Sequence, residues 1–256
     1  MNKNIYLIIL TIVTAVCILF GSCYHLTKWG IGFASKFLPF ISFEEADNWS
    51  YTDSDDIQLD AFTAVSVDAS VMKLTVRPGE KTSLSYRCTK NLEPHWEVED
   101  GTLFITQKAV KATGKNECSV TLTVPSDTVY SKIDIDLSVG DIDIKDLNGE
   151  HLRVNANVGD LDLTNLSFSK IELDTNVSDV DVDNCQFDRL NIDANVGDVD
   201  VESAEDLSDY SIDLNTNIGS VSVNGQRHRR EFSQKGTSGK SVTIDTDAGD
   251  IDLSYK

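Results

Sequence analysis

Two series of aspartates recur at a spacing of 19 residues before a longer final step: Asp141, Asp160, Asp179, Asp198 and Asp250, and Asp143, Asp162, Asp181, Asp200 and Asp252. Rows of carboxylates invite cations, because neighbours ~5 Å apart repel by about 1 kcal/mol in a water-like dielectric. Calcium is the hard cation such oxygens suit, but it needs six to eight of them around one point, and a straight row supplies few. The local motif also has one glycine and a period of 19, unlike the calcium-binding nonapeptide of β-helices. We therefore expect a solvated face that attracts weak screening cations, with selective calcium sites as the alternative, and we assign no metal-ligating residue.

The other chemistry-bearing residues are sparse. Arg227-His228-Arg229-Arg230 is a basic tetrad that either binds an anionic polymer or folds back onto the acidic rows; the local attraction favours folding back. His228 has no nucleophile or carboxylate placed with it by a recognisable motif, and His25, His95 and His151 are scattered, so neither catalysis nor a metal set is indicated. Cys88 and Cys118 each fall on the apolar phase of a strand, and a bridge between them is one of two open readings. No catalytic residue, cofactor-binding residue or cofactor is assigned.

What positions the aspartates is a repeat. Six segments align without gaps: IDIDLSVGDIDI from Ile133, LRVNANVGDLDL from Leu152, IELDTNVSDVDV from Ile171, LNIDANVGDVDV from Leu190, IDLNTNIGSVSV from Ile212 and VTIDTDAGDIDL from Val242. Apolar and polar residues alternate, as in strands with one buried face, and the phase slips at the Gly-Asp corner, where glycine permits φ > 0. Ser178 stands in for glycine once and predicts a milder bend or mild strain. Nineteen residues are too few for a strand-helix-strand unit, so the expected fold is all-β, a single-stranded β-solenoid whose coils stack at ~4.8 Å; a long β-meander is the competitor.

Stacking assigns columns. Val139, Val158, Val177, Val196, Ile218 and Ala248 are expected to be buried together. Leu147, Leu166, Cys185 and Ala204 form another column, which makes Cys185 a core residue and not a reactive thiol. Ser138, Asn157, Asn176, Asn195, Asn217 and Asp247 form an expected amide ladder from coil to coil. Residues 57–132 are strand-like but off this register, and we expect them to cap the first coil.

Phe62-x-x-Val65, the Asp100-Gly101-x-Leu103-x-Ile105 hairpin, Val120-x-Leu122-x-Val124-Pro125 and the repeated Val-Gly-Asp-Ile-Asp-Ile together resemble a bacterial β-strand-repeat family of candidate adhesins, also called toastrack domains. The resemblance covers roughly residues 57–256. It implies a β-solenoid-like ectodomain behind one membrane segment, adhesin-like or linked to envelope stress, and it supplies no catalytic residues. Ser178 and the Ser220/Ser222 pair depart from its Gly-Asp-x-Asp form.

Composition fits that setting. The chain has 256 residues and a net charge of −20, of which residues 133–225 carry −18, with 22 acidic side chains against 4 basic. Such a surface repels phosphate backbones and argues against nucleic-acid binding. At the N-terminus Lys3 precedes an uncharged apolar run from Ile5 to Gly21, just long enough to span a bilayer. An uncleaved transmembrane signal anchor is the preferred reading, with a cleaved signal peptide or a lipoprotein at Cys23 as alternatives. Trp29, Phe33, Phe37, Phe40 and Phe43, interleaved with Lys28 and Lys36, suit either a membrane interface or one end of the β domain. The organisation read from the sequence is an anchor at 1–22, a juxtamembrane linker at 23–56, a β cap at 57–132 and solenoid repeats at 133–256.

The expected function is that of a non-catalytic membrane-anchored cell-surface protein of adhesin-like type, with its C-terminal domain outside the cell. Its expected partners are the lipid bilayer and other envelope proteins or surface polymers. An accessory or sensor subunit of an envelope-stress system is the alternative. A solenoid enzyme acting on polysaccharide fits less well, because such enzymes hold catalytic acids off the repeat pattern, whereas these lie on it.

Overall fold

The computed structural model describes residues 50–109 and 116–256. The anchor assigned to residues 1–22 and the aromatics of the linker up to residue 49 lie outside the described residues. Among the described residues no α-helix occurs, and no helix is long and apolar enough to cross a membrane.

The fold is a stack of two-stranded rungs forming two parallel sheets, A and B, joined at the Gly-Asp corner. The repeat beginning at Ile133 supplies Lys132–Val139 to sheet B and Ile142–Lys145 to sheet A. The next rung, Asn148–Val158 with Leu161–Thr164, lies on it in parallel, pairing Leu152 with Ile133 and Leu161 with Ile142. Ser167–Val177 and Val180–Val196 continue the stack, with Ile171 against Leu152 and Leu190 against Ile171. Because like positions stack, Ile133, Leu152, Ile171 and Leu190 form one buried apolar column, and Ile142, Leu161, Val180 and Val199 form another. The β-meander is thereby ruled out.

The stack is longer than the repeat. Ala64–Val71 and Lys73–Gly79 form a rung below the first repeat, in full register: Val65 pairs with Ile133, Val71 with Val139 and Leu74 with Ile142. Thr102–Thr106 and Cys118–Pro125 form another beneath it, pairing Leu103 with Val65 and Val120 with Leu74. Residues 57–132 thus contain two rungs on the register, contrary to expectation. Met72-Lys73 replaces Gly-Asp at one corner, and at the other corner an insertion separates the two strands.

Rung order also departs from chain order. Ser241–Ala248 and Ile251–Ser254, the last repeat, insert between the fourth and fifth repeats: Leu190 pairs with Val242, and Val242 pairs in turn with Ile212. Ser211–Ile218 and Val221–Val223 are therefore the terminal rung. The 30-residue spacing before the last repeat holds two antiparallel cap strands, Gln226–His228 on Val221–Val223 and Glu231–Gln234 on Ser211–Ile218. The other end is capped, among the described residues, by three strands. There Ser83–Thr89 covers Cys118–Pro125, Tyr51–Gln58 covers Ser83–Thr89, and His95–Glu99 covers Thr102–Thr106. Antiparallel caps at both ends shield parallel edges that would otherwise template further strands. A disulfide joins Cys88 of the cap strand to Cys118, directly opposite it on the rung that strand covers.

Candidate functional surface

The corner explains the Gly-Asp motif. Gly159 and Gly197 have φ of 139° and 142°, and a Cβ at either would lie within about 2 Å of the carbonyl oxygen of Gly140 or Ser178 in the rung below. The aspartate that follows bonds the next rung. The Asp179 Oδ1 accepts the N–H of Asp198 at 3.0 Å, Asp198 Oδ1 accepts that of Asp250 at 2.8 Å, and Asp250 Oδ1 accepts that of Ser220 at 2.7 Å. Asp141 does the same for Asp160 at 3.4 Å. The corner aspartates are thus stacking groups, a role that sequence spacing alone did not disclose. Ser178 is buried at its corner and is not in the positive-φ region, so it avoids the backbone strain that a side chain meets there.

The second aspartate row is different. Asp143, Asp162, Asp181, Asp200 and Asp252 are directly paired in sequence along sheet A, one per rung, pointing outward. Lys145 reaches Asp143 at 3.2 Å, and no other ion pair among the described residues touches the row. Burial, then repulsion from Asp181 and Asp143, raises the pKa of Asp162; burial, then Asp181 and Asp252, raises that of Asp200. Sheet B has a mixed outer face: Asp134 is bonded by Lys132 and Arg153 and Glu172 by Lys170 and His151, while Asp174, Asp193 and Asp245 stack directly, and burial, then repulsion from Asp174 and Asp245, raises the pKa of Asp193. Among the described residues no three His, Cys, Asp or Glu side chains converge as metal ligands.

The asparagine ladder is present: Asn176 Nδ2 donates to Asn157 Oδ1, Asn195 Nδ2 to Asn176 Oδ1, and Asn217 Nδ2 to Asp247 Oδ1. A second ladder, unforeseen, runs along the opposite turn. Asn165 donates to Asp146 at 2.9 Å and Asn184 to Asn165 at 2.7 Å, and all three residues have φ near +50°. Its signal was in the sequence, since short polar residues that tolerate the left-handed region recur there every 19 positions.

The valine column is not buried, contrary to expectation. Val158, Val177, Val196 and Ile218 are each about half-exposed, and Val139 and Ala248 are intermediate. Strand alternation stops one residue early: Leu137 faces the core, then Ser138 and Val139 both face out as the chain swings toward the corner. Cys185 is fully buried beneath Leu166, and burial pushes its thiol pKa up to about 11. In the next rung its partner is Ser203 and not Ala204, because the register shifts there by one.

The basic tetrad also departs from expectation. Arg227, Arg229 and Arg230 are exposed and form no ion pair among the described residues, so they do not fold back onto the acidic rows. The reason lies in the caps: Arg227 is held on a cap strand opposite Ser222, the position where the acidic row gives way to serine. His228 packs on Phe232 with ring centroids 4.8 Å apart and helps close the end of the core.

No curated protein matches this chain. Among solved structures, a candidate cell-adhesion protein from Clostridium sporogenes is similar over 81% of this chain and 100% of its own, at 20% identity and a TM-score of 0.49. A candidate adhesin from Bacteroides fragilis is similar over 82% of this chain and 98% of its own, at 16% identity and a TM-score of 0.43. The model of the Toastrack DUF4097 family matches residues 62–254, most of the chain, and the chain belongs to that family.

Proposed function

We infer that the chain is a non-catalytic cell-surface protein of adhesin-like type, anchored by its N-terminal apolar segment and acting through contacts made by the outside of the stack. The observation that carries this reading is where the polar groups go. The repeat spends its carboxylates and amides on lines that run the length of the stack, the corner aspartates bonding the next rung and the sheet A aspartates facing solvent. Regular rows offer repeated, equivalent contact points, whereas acid-base catalysis needs unlike groups gathered around one reacting atom. The Cys88–Cys118 disulfide supports an oxidising compartment outside the cytosol. The uncharged run from Ile5 to Gly21 supports a membrane attachment.

The test uses full-length protein in phosphatidylcholine liposomes loaded onto fluorescent beads and mixed with isolated bacterial cell envelopes. Saturable retention above that of protein-free liposome beads is expected. Retention equal to the protein-free control would remove the surface-contact reading.

A further inference from the structure

The outward row of sheet A runs Asp143, Asp162, Asp181, Asp200 and Asp252, then Ser222 on the terminal rung, then Arg227 on the cap strand. Had the repeat kept its aspartate at position 222, a carboxylate would stand directly across from Arg227. With serine there, Arg227 has no ion-pair partner among the described residues, and its strand lies two strand spacings, roughly 10 Å, from the end of the acidic row. Arg229 and Arg230 follow at the bend into the second cap strand, both exposed, with the carbonyl of Arg230 accepting the N–H of Thr216 at 2.8 Å. Three of the chain's seven arginines thus occupy one vertex of the last cap, with Glu231 the acidic side chain next to them in the chain. This vertex lies at the opposite end of the stack from Tyr51, where the first cap strand begins.

We propose that this arginine vertex binds an anionic polymer bearing repeated phosphate or carboxylate groups. The inference deepens the surface-contact reading and rests on it, naming the site and the partner's chemistry. Guanidinium forks match such oxyanions two hydrogen bonds at a time, which lysine does not reproduce. The acidic flanks repel a polyanion along the length of the stack and leave the end as the place of approach. The aspartate row of a second copy is a weaker occupant, because two bodies of charge −20 must then lie side by side. A flexible polymer instead presents a few charges to the vertex while the rest leads away, beyond the ~8 Å screening length at physiological salt. Positive charge on an edge strand also discourages edge-to-edge pairing, so the experiment must separate the two roles.

Full-length protein in phosphatidylcholine nanodiscs is titrated with sodium polyphosphate and, separately, with polygalacturonate, at two salt concentrations. Saturable binding of at least one polymer is expected, and the two arms tell phosphate from carboxylate sources. The affinity should fall with salt with a log-log slope between about 1 and 3, set by three arginines. R227Q/R229Q/R230Q should weaken binding at least tenfold, R227K/R229K/R230K should bind less tightly than the parent but better than the glutamine variant, and K81Q/K90Q, whose lysines flank the cap strand Ser83–Thr89 at the other end, should match the parent. R229Q/R230Q, confined to the bend, gives the same reading if the triple variant fails to fold. Absence of saturable binding to either polymer overturns the proposal. So does unchanged affinity in the glutamine variants, or a sole effect of those variants on self-association in sedimentation. If envelope retention of the beads persists while polymer binding is absent, the vertex assignment falls and the surface-contact reading stands; if both are absent, both fall.

Discussion

The carboxylate of Asp198 accepts the backbone N–H of Asp250 at 2.8 Å, although the two residues are 52 positions apart and a whole repeat lies between them in the chain. This bond marks the insertion of the last repeat beside the fourth. Asp198→Ala should cost about 1 to 2 kcal/mol, the range for a hydrogen bond to a charged acceptor with allowance for exposure. Asp198→Asn, which keeps an acceptor, should cost less. Urea unfolding of both variants measures the difference, and equal losses would deny the bond a stacking role.

The corrected orientation of the valine column gives a paired test. Val177 is 52% exposed and Val180, three residues on across the corner, is 1% exposed. Val177→Asp should change stability by within about 1 kcal/mol, as surface substitutions do. Val180→Asp buries a carboxylate without a partner and should cost more than about 3 kcal/mol or prevent folding. Thermal melts of the two variants side by side suffice.

These two positions also show what the sequence could and could not disclose. The 19-residue recurrence of Gly-Asp made the stack legible, because glycine is required where one corner sits under the next. The rung at 64–79 escaped because Met72-Lys73 breaks that signal, although Val65, Val67, Leu74 and Val76 keep the apolar phase. Rung order was not legible: a spacing of 30 residues announces an insertion but not that its strands cap one side of the terminal rung while the next repeat slots in on the other. The facing of Val177 was misread because alternation was extended to the corner itself, where the backbone leaves the strand. The free arginines were misread because attraction was judged from net charge, without the cap strand that holds Arg227 opposite Ser222.

The first cap is closed by the Cys88–Cys118 bridge, which spans 30 residues of chain. Chain-entropy arguments put such a crosslink at about 3.5 kcal/mol. Cys88→Ser with Cys118→Ser, or reduction of the parent, should lower the unfolding free energy by roughly that amount, while Cys185, fully buried, should react with thiol reagents only on unfolding. Urea unfolding measures the first point, and a thiol titration of the Cys17→Ser/Cys23→Ser protein under native and denaturing conditions checks the second.

The sheet A aspartates predict the pH and salt response. Burial and neighbouring carboxylates raise Asp162 and Asp200 above their ordinary value, so the folded chain retains protons that the unfolded chain releases, and their contribution to stability falls as pH rises from the ordinary value through the raised ones. Lowering the pH through the raised values toward the ordinary carboxylate range should therefore raise the melting temperature modestly. Asp162→Asn with Asp200→Asn should flatten the rise. At lower pH the trend reverses as Glu172, held down by Lys170 and then His151, and Asp134, where Lys132 and Arg153 outweigh burial, take up protons. Added sodium chloride should stabilise smoothly, and calcium at equal ionic strength should do no more. A saturating calcium response would point to built sites instead.

Membrane attachment and outward display together are what the account most depends on. The direct measurement places an epitope tag after Lys256 and probes intact cells with an antibody that does not cross membranes, alongside fractionation. The account predicts that the tag is labelled on intact cells and sediments with membranes. A tag that is labelled only after lysis, on protein recovered in the soluble cytosolic fraction, would contradict it.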